Sequence, residues 1–387
     1  MNSNPFTLSI FCAFMLMAFA NCTSLFVRFT SPEKQSLSFA AVGDIMVHET
    51  QLKSAYNPKC SCYDFKPVFK HVKEYISSPD IAFGNLETTL PGDSKLFAGY
   101  PQFGSPDELA EALRDLGFDI LTTSNNHSVD TGRKGIDHTI DMLDKNGILH
   151  LGTYKSQEEF EKRRILQVSK NGINMIFLSY SYSTNGIAIP KEKVVNLIDK
   201  ARISEDIQMA KSLKPDVVIV AYHFGTEYAR FPDKFQKEMV DFAFDEGADI
   251  ILGGHPHVLQ PYEISWKEDK FGERKQRMVI YSLGNFVSGQ IKRYTNGGMI
   301  FNFTLTKTVQ SGKPVISIHD VGFIPVFVYV SNEKTGYQYN LIPVSKFLKN
   351  DQDLKLTPSA YKSMLEFYED TNSHLQQNSL VGVNALP

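Results

Sequence analysis

The sequence predicts an α/β protein, and three observations predict it. Short apolar runs alternate with amphipathic helical stretches through the first two-thirds of the chain. Several of those runs end in polar residues able to do chemistry, and from Val258 onward helices give way to successive strands. The 387 residues, 42% hydrophobic and 21% charged, have an ordinary globular composition and ample length to bury a core. With 40 Lys and Arg against 43 Asp and Glu, and no long basic run, the chain lacks the field that nucleic-acid binding needs.

The chain opens on an uncharged apolar stretch, Pro5 to Ala20, too short for a comfortable membrane span but of the length of a signal-peptide core. No Lys or Arg precedes it. Phe19-Ala20-Asn21-Cys22 resembles a relaxed lipobox, in which Cys22 would become the lipidated first residue. Residues 1–22 are therefore read as a signal or lipoprotein segment, with a retained anchor or a buried N-terminal helix as alternatives. The expected location is the cell envelope after export, with the membrane reached through this anchor. Apart from Cys12 and Cys22, the cysteines are Cys60 and Cys62, in a loop-like run; an oxidising compartment permits a local disulfide there, closing too small a loop to stabilise much.

Strands are expected at Leu37–Val42, Ile81–Gly84, Ile120–Thr123, Met175–Ser179, Val217–Tyr222 and Ile250–Leu252. Between them, apolar residues at three- and four-residue steps predict helices near Phe65–Ile76, Asp107–Leu116, Ile136–Lys145, Leu197–Ser212 and Lys234–Glu246. Met278–Ser282, Met299–Leu305, Val315–His319 and Phe323–Val330 read as later strands, joined by turns containing Gly, Asn or Asp. One domain over 37–345 is followed by a C-terminal region, 346–387, with a helix at Pro358–Tyr368 and a tail fraying from Gln376.

The chemistry sits where strands end. Asp44 follows the first strand, Glu87 the second, and Asn126-His127 the third; His223 follows Val217–Tyr222, and Gly253-Gly254-His255-Pro256-His257 follows Ile250–Leu252. Carboxyl ends of parallel strands face the crevice where ligands bind, so these side chains would converge. Imidazole with carboxylate is the ligand set of Mn, Fe, Zn and Ni rather than calcium, and a shared carboxylate can bridge two ions, so a dinuclear centre is expected. The glycines would let the chain turn out of the strand, and His255 and His257 would share a side if the backbone is extended. Arg133-Lys134 can hold an anionic substrate or simply be solvated. Tyr222, Phe224, Tyr228 and Phe231 can line a groove or pack in the core. Glu227 can fix the His223 ring or lie on the surface.

Gly43-Asp44-Ile45-Met46, Asn85-Leu86-Glu87, Asn125-Asn126-His127-Ser128-x-Asp130, Tyr222-His223-Phe224-Gly225-x-Glu227-Tyr228, Gly254-His255-Pro256-His257 and Tyr281-Ser282-Leu283-Gly284-Asn285-Phe286 together resemble the CapA family of poly-gamma-glutamate capsule synthesis proteins. The resemblance runs from Ser38 to Val287 and extends to the calcineurin-like metallophosphoesterases. It implies a four-layer α/β/β/α sandwich of two mixed β-sheets flanked by helices. It also implies two divalent ions (Mn, Fe or Zn): Asp44 and His257 on the first, His223 and His255 on the second, Glu87 in the bridging place and Asn126 as a further ligand. His127, with Asp44, would be catalytic, steadying the transition state or protonating the leaving group. Two departures stand out: Met46 occupies the place of a usual histidine, and Glu87 that of a bridging Asp. His48 would either make up the lost ligand from its loop or face solvent at a helix start. The implied function is a metal-dependent hydrolase acting on a phosphorylated or carboxylated substrate in capsule biosynthesis. The alternative is a non-catalytic subunit of a membrane capsule synthase or exporter that holds an anionic polymer. A surface binding protein unrelated to capsule is a third reading.

Overall fold

In the computed structural model, residues 35–381 are described apart from 311, 334–335 and 350–351; the segment 1–22 with Cys12 and Cys22, and the last residues of the tail, lie outside them. In chain order the strands of the two large sheets are β1 (Gln35–Ile45), β2 (Ile81–Leu86), β3 (Ile120–Thr122), β4 (Leu149–Leu151), β5 (Leu166–Lys170), β6 (Ile173–Ser181), β7 (Val217–His223) and β8 (Ile250–Gly254). They continue with β9 (Tyr262–Glu268), β10 (Arg274–Ile280), β11 (Asn285–Val287), β12 (Gly297–Gln310), β13 (Lys313–Glu333), β14 (Gly336–Pro343) and β15 (Leu380–Val381). The longer helices are α1 (Glu49–Ala55), α2 (Glu108–Leu116), α3 (Gly132–Lys145), α4 (Gln157–Arg163), α5 (Lys200–Ser212), α6 (Lys234–Glu246) and α7 (Pro358–Asn378).

Two mixed sheets result. The first has the order β14-β13-β12-β1-β2-β3-β4, with β11 also pairing β1; the second has the order β15-β9-β10-β8-β7-β6-β5. β1 to β4 run parallel in one, and β6, β7, β8 and β10 in the other, so the polar strand ends of each sheet lie at one edge. The inner faces pack on each other: Phe39, Ala41 and Phe83 meet Phe177, Ile219 and Ile250, with the Phe83 and Phe177 rings 6.2 Å apart. The alternate residues point outward, Ala40, Val42 and Leu121 onto Leu109 and Leu113 of α2, and Val218, Val220 and Ile251 onto Ile203 of α5 and Val240 of α6. Burial of both faces is why these strands read as continuous apolar runs rather than alternating ones. The result is the expected four-layer α/β/β/α arrangement.

Several boundaries differ from the sequence reading. The helix expected over Phe65–Ile76 is instead a 3-10 turn, Lys66–Phe69, with Pro67 in its first turn, and a separate short helix, Lys73–Ser77. The helix expected from Leu197 begins at Lys200, where the Asp199 side chain accepts the Arg202 N–H. Val315–His319 and Phe323–Val330 are one strand, β13, which absorbs the Asp320–Gly322 interruption through a register shift against β12. The tail does not fray at Gln376: α7 continues to Asn378, buries Leu375, and hands over to β15, which pairs with β9. Cys60 and Cys62 are joined by a disulfide in an exposed hairpin.

Gly253 is required by close approach, since a Cβ there would lie 2.1 Å from the Tyr281 carbonyl oxygen. Gly253→Ala is expected to cost about 1–3 kcal/mol, read as a lowered denaturation midpoint. Asp80 ties the two sheets: its carboxylate accepts from Ser38 N–H (2.9 Å) and Oγ (2.8 Å) on β1 and from Asn171 Nδ2 (3.1 Å) between β5 and β6. Burial raises its pKa, but these bonds and the Lys170 charge outweigh burial and hold it below the usual carboxylate range. Its contribution is therefore present above the unfolded-state value and is lost as pH falls through the lowered folded value. Asp80→Ala should flatten the acid limb of the stability curve below about pH 4, measured by urea denaturation across pH.

Candidate metal centre

Each candidate side chain leaves a strand at the shared edge. Asp44 is the penultimate residue of β1, Glu87 directly follows β2, His223 ends β7, and His255 and His257 follow β8. All are buried, with Asp44 and Glu87 at 0% exposure. The structure gathers them into two groups of facing donor atoms, Asp44–Glu87–His257 and Glu87–His223–His255, each with its atoms within 4.8 Å of one another and Glu87 common to both. His223 Nε2 lies 3.4 Å and His257 Nε2 4.0 Å from Glu87 Oε1. Asn126 reaches the same place, its Oδ1 2.7 Å from His223 Nε2.

The left-handed backbone here belongs to the histidines. Gly253 and Gly254 remain in β8, whereas His255 (φ 97) and His257 (φ 58) carry positive φ, so the His-x-His pair is not extended as expected. A turn around Pro256 brings the two rings to 6.0 Å, and strain of this kind persists only where the surroundings enforce it. Gly254 is needed for a different reason: a Cβ would come 2.8 Å from Asp44 Oδ1.

The electrostatics are those of a cluster cut off from solvent. Burial and then the Asp44 charge push Glu87 well above its ordinary value, and neither of its oxygens has a hydrogen-bond partner among the described residues. Burial also raises Asp44, but its bond to His257, the histidine charges and the Asn85 amide outweigh it and hold Asp44 below the carboxylate range. Burial lowers His257, yet Glu87 and Asp44 bring it up to about 9. His223 is lowered by burial to about 3, and His255, whose Nδ1 is also unpartnered, is lowered by burial and its neighbouring histidines. A buried carboxyl with both oxygens unsatisfied is costly, and a cation shared among these donors is the partner that removes the cost. The residues therefore fit divalent metal.

His127 stands slightly apart. Its Nδ1 is 2.7 Å from Asp130 Oδ2, which also accepts the Phe103 N–H, and the ring packs edge-on to Phe103. Burial lowers its pKa, while Asp130 and Glu87 more than reverse this, leaving it raised.

Two carboxamides that the sequence reading left without a role hold the cluster. Asn85 Nδ2 donates to Asp44 Oδ1 (2.8 Å) and lies 3.2 Å from His223 Nδ1, while Thr122 and Asn125 donate to its Oδ1. Asn285, in register with Asp44 on the neighbouring strand, gives its Nδ2 to Gln290 and the Thr295 carbonyl and turns Oδ1 to His257 Nδ1 at 3.1 Å. Such partners orient ligand rings. Position was the available signal: Asn85 lies two residues before Glu87, and Asn285 closes the Gly284-Asn285 motif.

Other candidates separate cleanly. His48 is in neither group; its Nδ1 accepts the Gly289 N–H at 3.0 Å at the start of α1, so it does not replace the histidine missing at buried Met46. Glu227 is exposed and grouped with His255 and His257, while the hydrogen bonds of His223 go to asparagines. Tyr222 and Phe224 are core residues, whereas Tyr228 and Phe231 are exposed. The Arg133 guanidinium is held by Glu192 and the Lys191 carbonyl.

Among curated proteins, the chain is 29% identical over 269 residues to the capsule biosynthesis protein CapA of Bacillus anthracis, covering 67% of this chain and 61% of that protein. It thus spans about three-fifths of that relative's length. It is 28% identical over 331 residues to the PGA biosynthesis protein CapA of Bacillus subtilis, covering 83% of this chain and 82% of the relative. Among solved structures, the NAD nucleotidase of Haemophilus influenzae superposes with a TM-score of 0.49 at 11% identity, over 92% of this chain and 65% of the other. The family model described as bacterial capsule synthesis protein PGA_cap matches residues 38–290, and the chain belongs to that family.

Proposed function

We propose that this chain is a metal-dependent hydrolase serving capsule or poly-gamma-glutamate biosynthesis at the cell envelope. One observation carries the reading: Glu87, fully buried and without a hydrogen-bond partner among the described residues, is shared by two groups of metal-type donors. Asp44, Glu87 and His257 would hold one divalent ion, and Glu87, His223, His255 and Asn126 a second, with Mn, Fe or Zn suited to these donors. When bound, such ions supply Lewis-acid stabilisation of charge on a phosphoryl or acyl oxygen and a water nucleophile near neutral pH. The chain's own residues do the rest. His127, held by Asp130, presents its other ring nitrogen as a proton donor to the departing oxygen. Asn85 and Asn285 keep Asp44 and His257 in place. Membership of a capsule synthesis family and the relatives named CapA support the process. The Cys60–Cys62 disulfide supports an exported location. Anchoring through a lipidated Cys22, and association with membrane synthase subunits, extend this proposal.

Buried Met46, with His48 engaged elsewhere, favours a second reading in which the first group holds its ion poorly and the chain is a non-catalytic subunit binding an anionic polymer. Metal content separates the two. Full-length protein purified without a His tag should hold about two equivalents of Mn, Fe or Zn by mass spectrometry. Glu87→Gln, or His255→Ala with His257→Ala, should lose them and show a lower melting temperature. A wild-type chain that stays empty after dialysis against Mn or Zn defeats the hydrolase reading. His127→Gln should retain the metal while turnover falls about 10²–10⁴-fold; unchanged turnover removes His127 from the chemistry.

A further inference from the structure

The metal-type donors are buried, and three exposed side chains, here called the mouth, stand beside them. Glu227 places a carboxylate oxygen within 4.8 Å of His255 and His257 ring nitrogens. Tyr182, 38% exposed, lays its ring over His255 with centroids 4.4 Å apart, and Tyr228, 52% exposed, stands 6.1 Å from His257.

These aromatics are fixed in place. Tyr182 N–H bonds the His223 carbonyl at 2.9 Å, and Tyr228 N–H bonds the carbonyl of Pro256, between the two histidines, at 2.8 Å. Tyr228 holds a positive φ of 66, a conformation that a bulky side chain adopts only under constraint. An exposed tyrosine held in strain beside a buried cluster is not explained by packing, because half of its surface faces water.

The charge of the mouth argues against a polyanion. The charged side chain exposed beside His255 and His257 is the Glu227 carboxylate. Of two arginines that follow in the sequence, Arg230 lies over Tyr294 and donates to the Asp370 carbonyl, and Arg293 forms a two-point bond with the Asp370 carboxylate. A chain carrying a carboxylate on every residue would meet the like charge of Glu227. A ring bearing hydroxyls meets the opposite: flat aromatic faces for its apolar side, and a carboxylate to accept its O–H groups.

We propose that the mouth is a sugar-ring subsite: the substrate sends a terminal phosphate into the buried cluster, lays its ring against Tyr182 and Tyr228, and donates hydroxyl hydrogen bonds to Glu227. The phosphate half rests on the hydrolase reading above; the ring half rests on the mouth alone. Calorimetric titration of the full-length, Zn-loaded protein with glucose 1-phosphate, glycerol 2-phosphate and tetra-γ-glutamate tests it. The sugar phosphate should bind roughly tenfold more tightly than the ringless ester. Tyr228→Ala or Tyr182→Ala should bring the two affinities together, and Tyr228→Phe should keep them apart, with melting temperatures confirming that each variant is folded. Equal wild-type affinities, tighter binding of tetra-γ-glutamate, or a preference that survives Tyr228→Ala overturns the subsite. A preserved sugar preference with no turnover of either ester sinks the hydrolase reading instead.

Discussion

Two carboxylates without solvent, beside three buried imidazoles, are the constraint on which the rest of this structure depends. Asp44 and Glu87 are as deeply buried as the apolar core, where an isolated charge is costly unless it finds a partner. Asp44 finds His257 and Asn85, whereas Glu87 finds no hydrogen-bond donor among the described residues. Sheet packing creates this asymmetry, because the parallel strands of both sheets end at the same edge and bring acids from one sheet against histidines from the other. The edge is held by the large apolar interface beneath it, where Phe39, Phe83 and Phe177 lie. The fold can sustain an unfavourable cluster at its rim because so much of its stability comes from elsewhere.

The same division explains the strain. Residues on β7 reach the cluster in ordinary extended backbone, whereas His255 and His257 must turn back from the end of β8. Their positive φ values are tolerated where Pro256, the close glycines and the Asp44 carboxylate leave no other path. A proline between two strained histidines narrows the conformations open to the unfolded chain as well, which lowers the entropy lost on ordering this loop.

Much of this was legible in the sequence, for identifiable reasons. Central strands such as β7, buried on both faces, are continuous apolar runs and could be placed within a residue or so; α6 has a periodic face, an Asp233 cap and a terminal Gly247, and its limits were read correctly. The candidate donors could be named because each follows such a strand. Illegible features were those fixed by tertiary partners. β5 is a half-exposed edge and β9 a half-exposed strand of mixed patterning, and β15 pairs only because α7 delivers it to β9. The His-x-His geometry was misread because extended spacing was assumed where the backbone is left-handed. The Asn85 and Asn285 contacts were hidden because a carboxamide announces nothing until its neighbours are known.

Depth and exposure also divide the labour within the site. Side chains that hold charge are placed by strands and are sealed; those that would meet a substrate, Tyr182, Glu227 and Tyr228, stand on the segments following β6 and β7. Donors on strands or just past their ends are fixed by the sheet, while the more distant loop residues can change without disturbing it. Met46 shows that the inner set is not immutable either. A buried thioether stands where the phosphoesterase resemblance has a histidine, so the first group consists of Asp44, Glu87 and His257, with Asn85 and Asn285 bonded to Asp44 and His257.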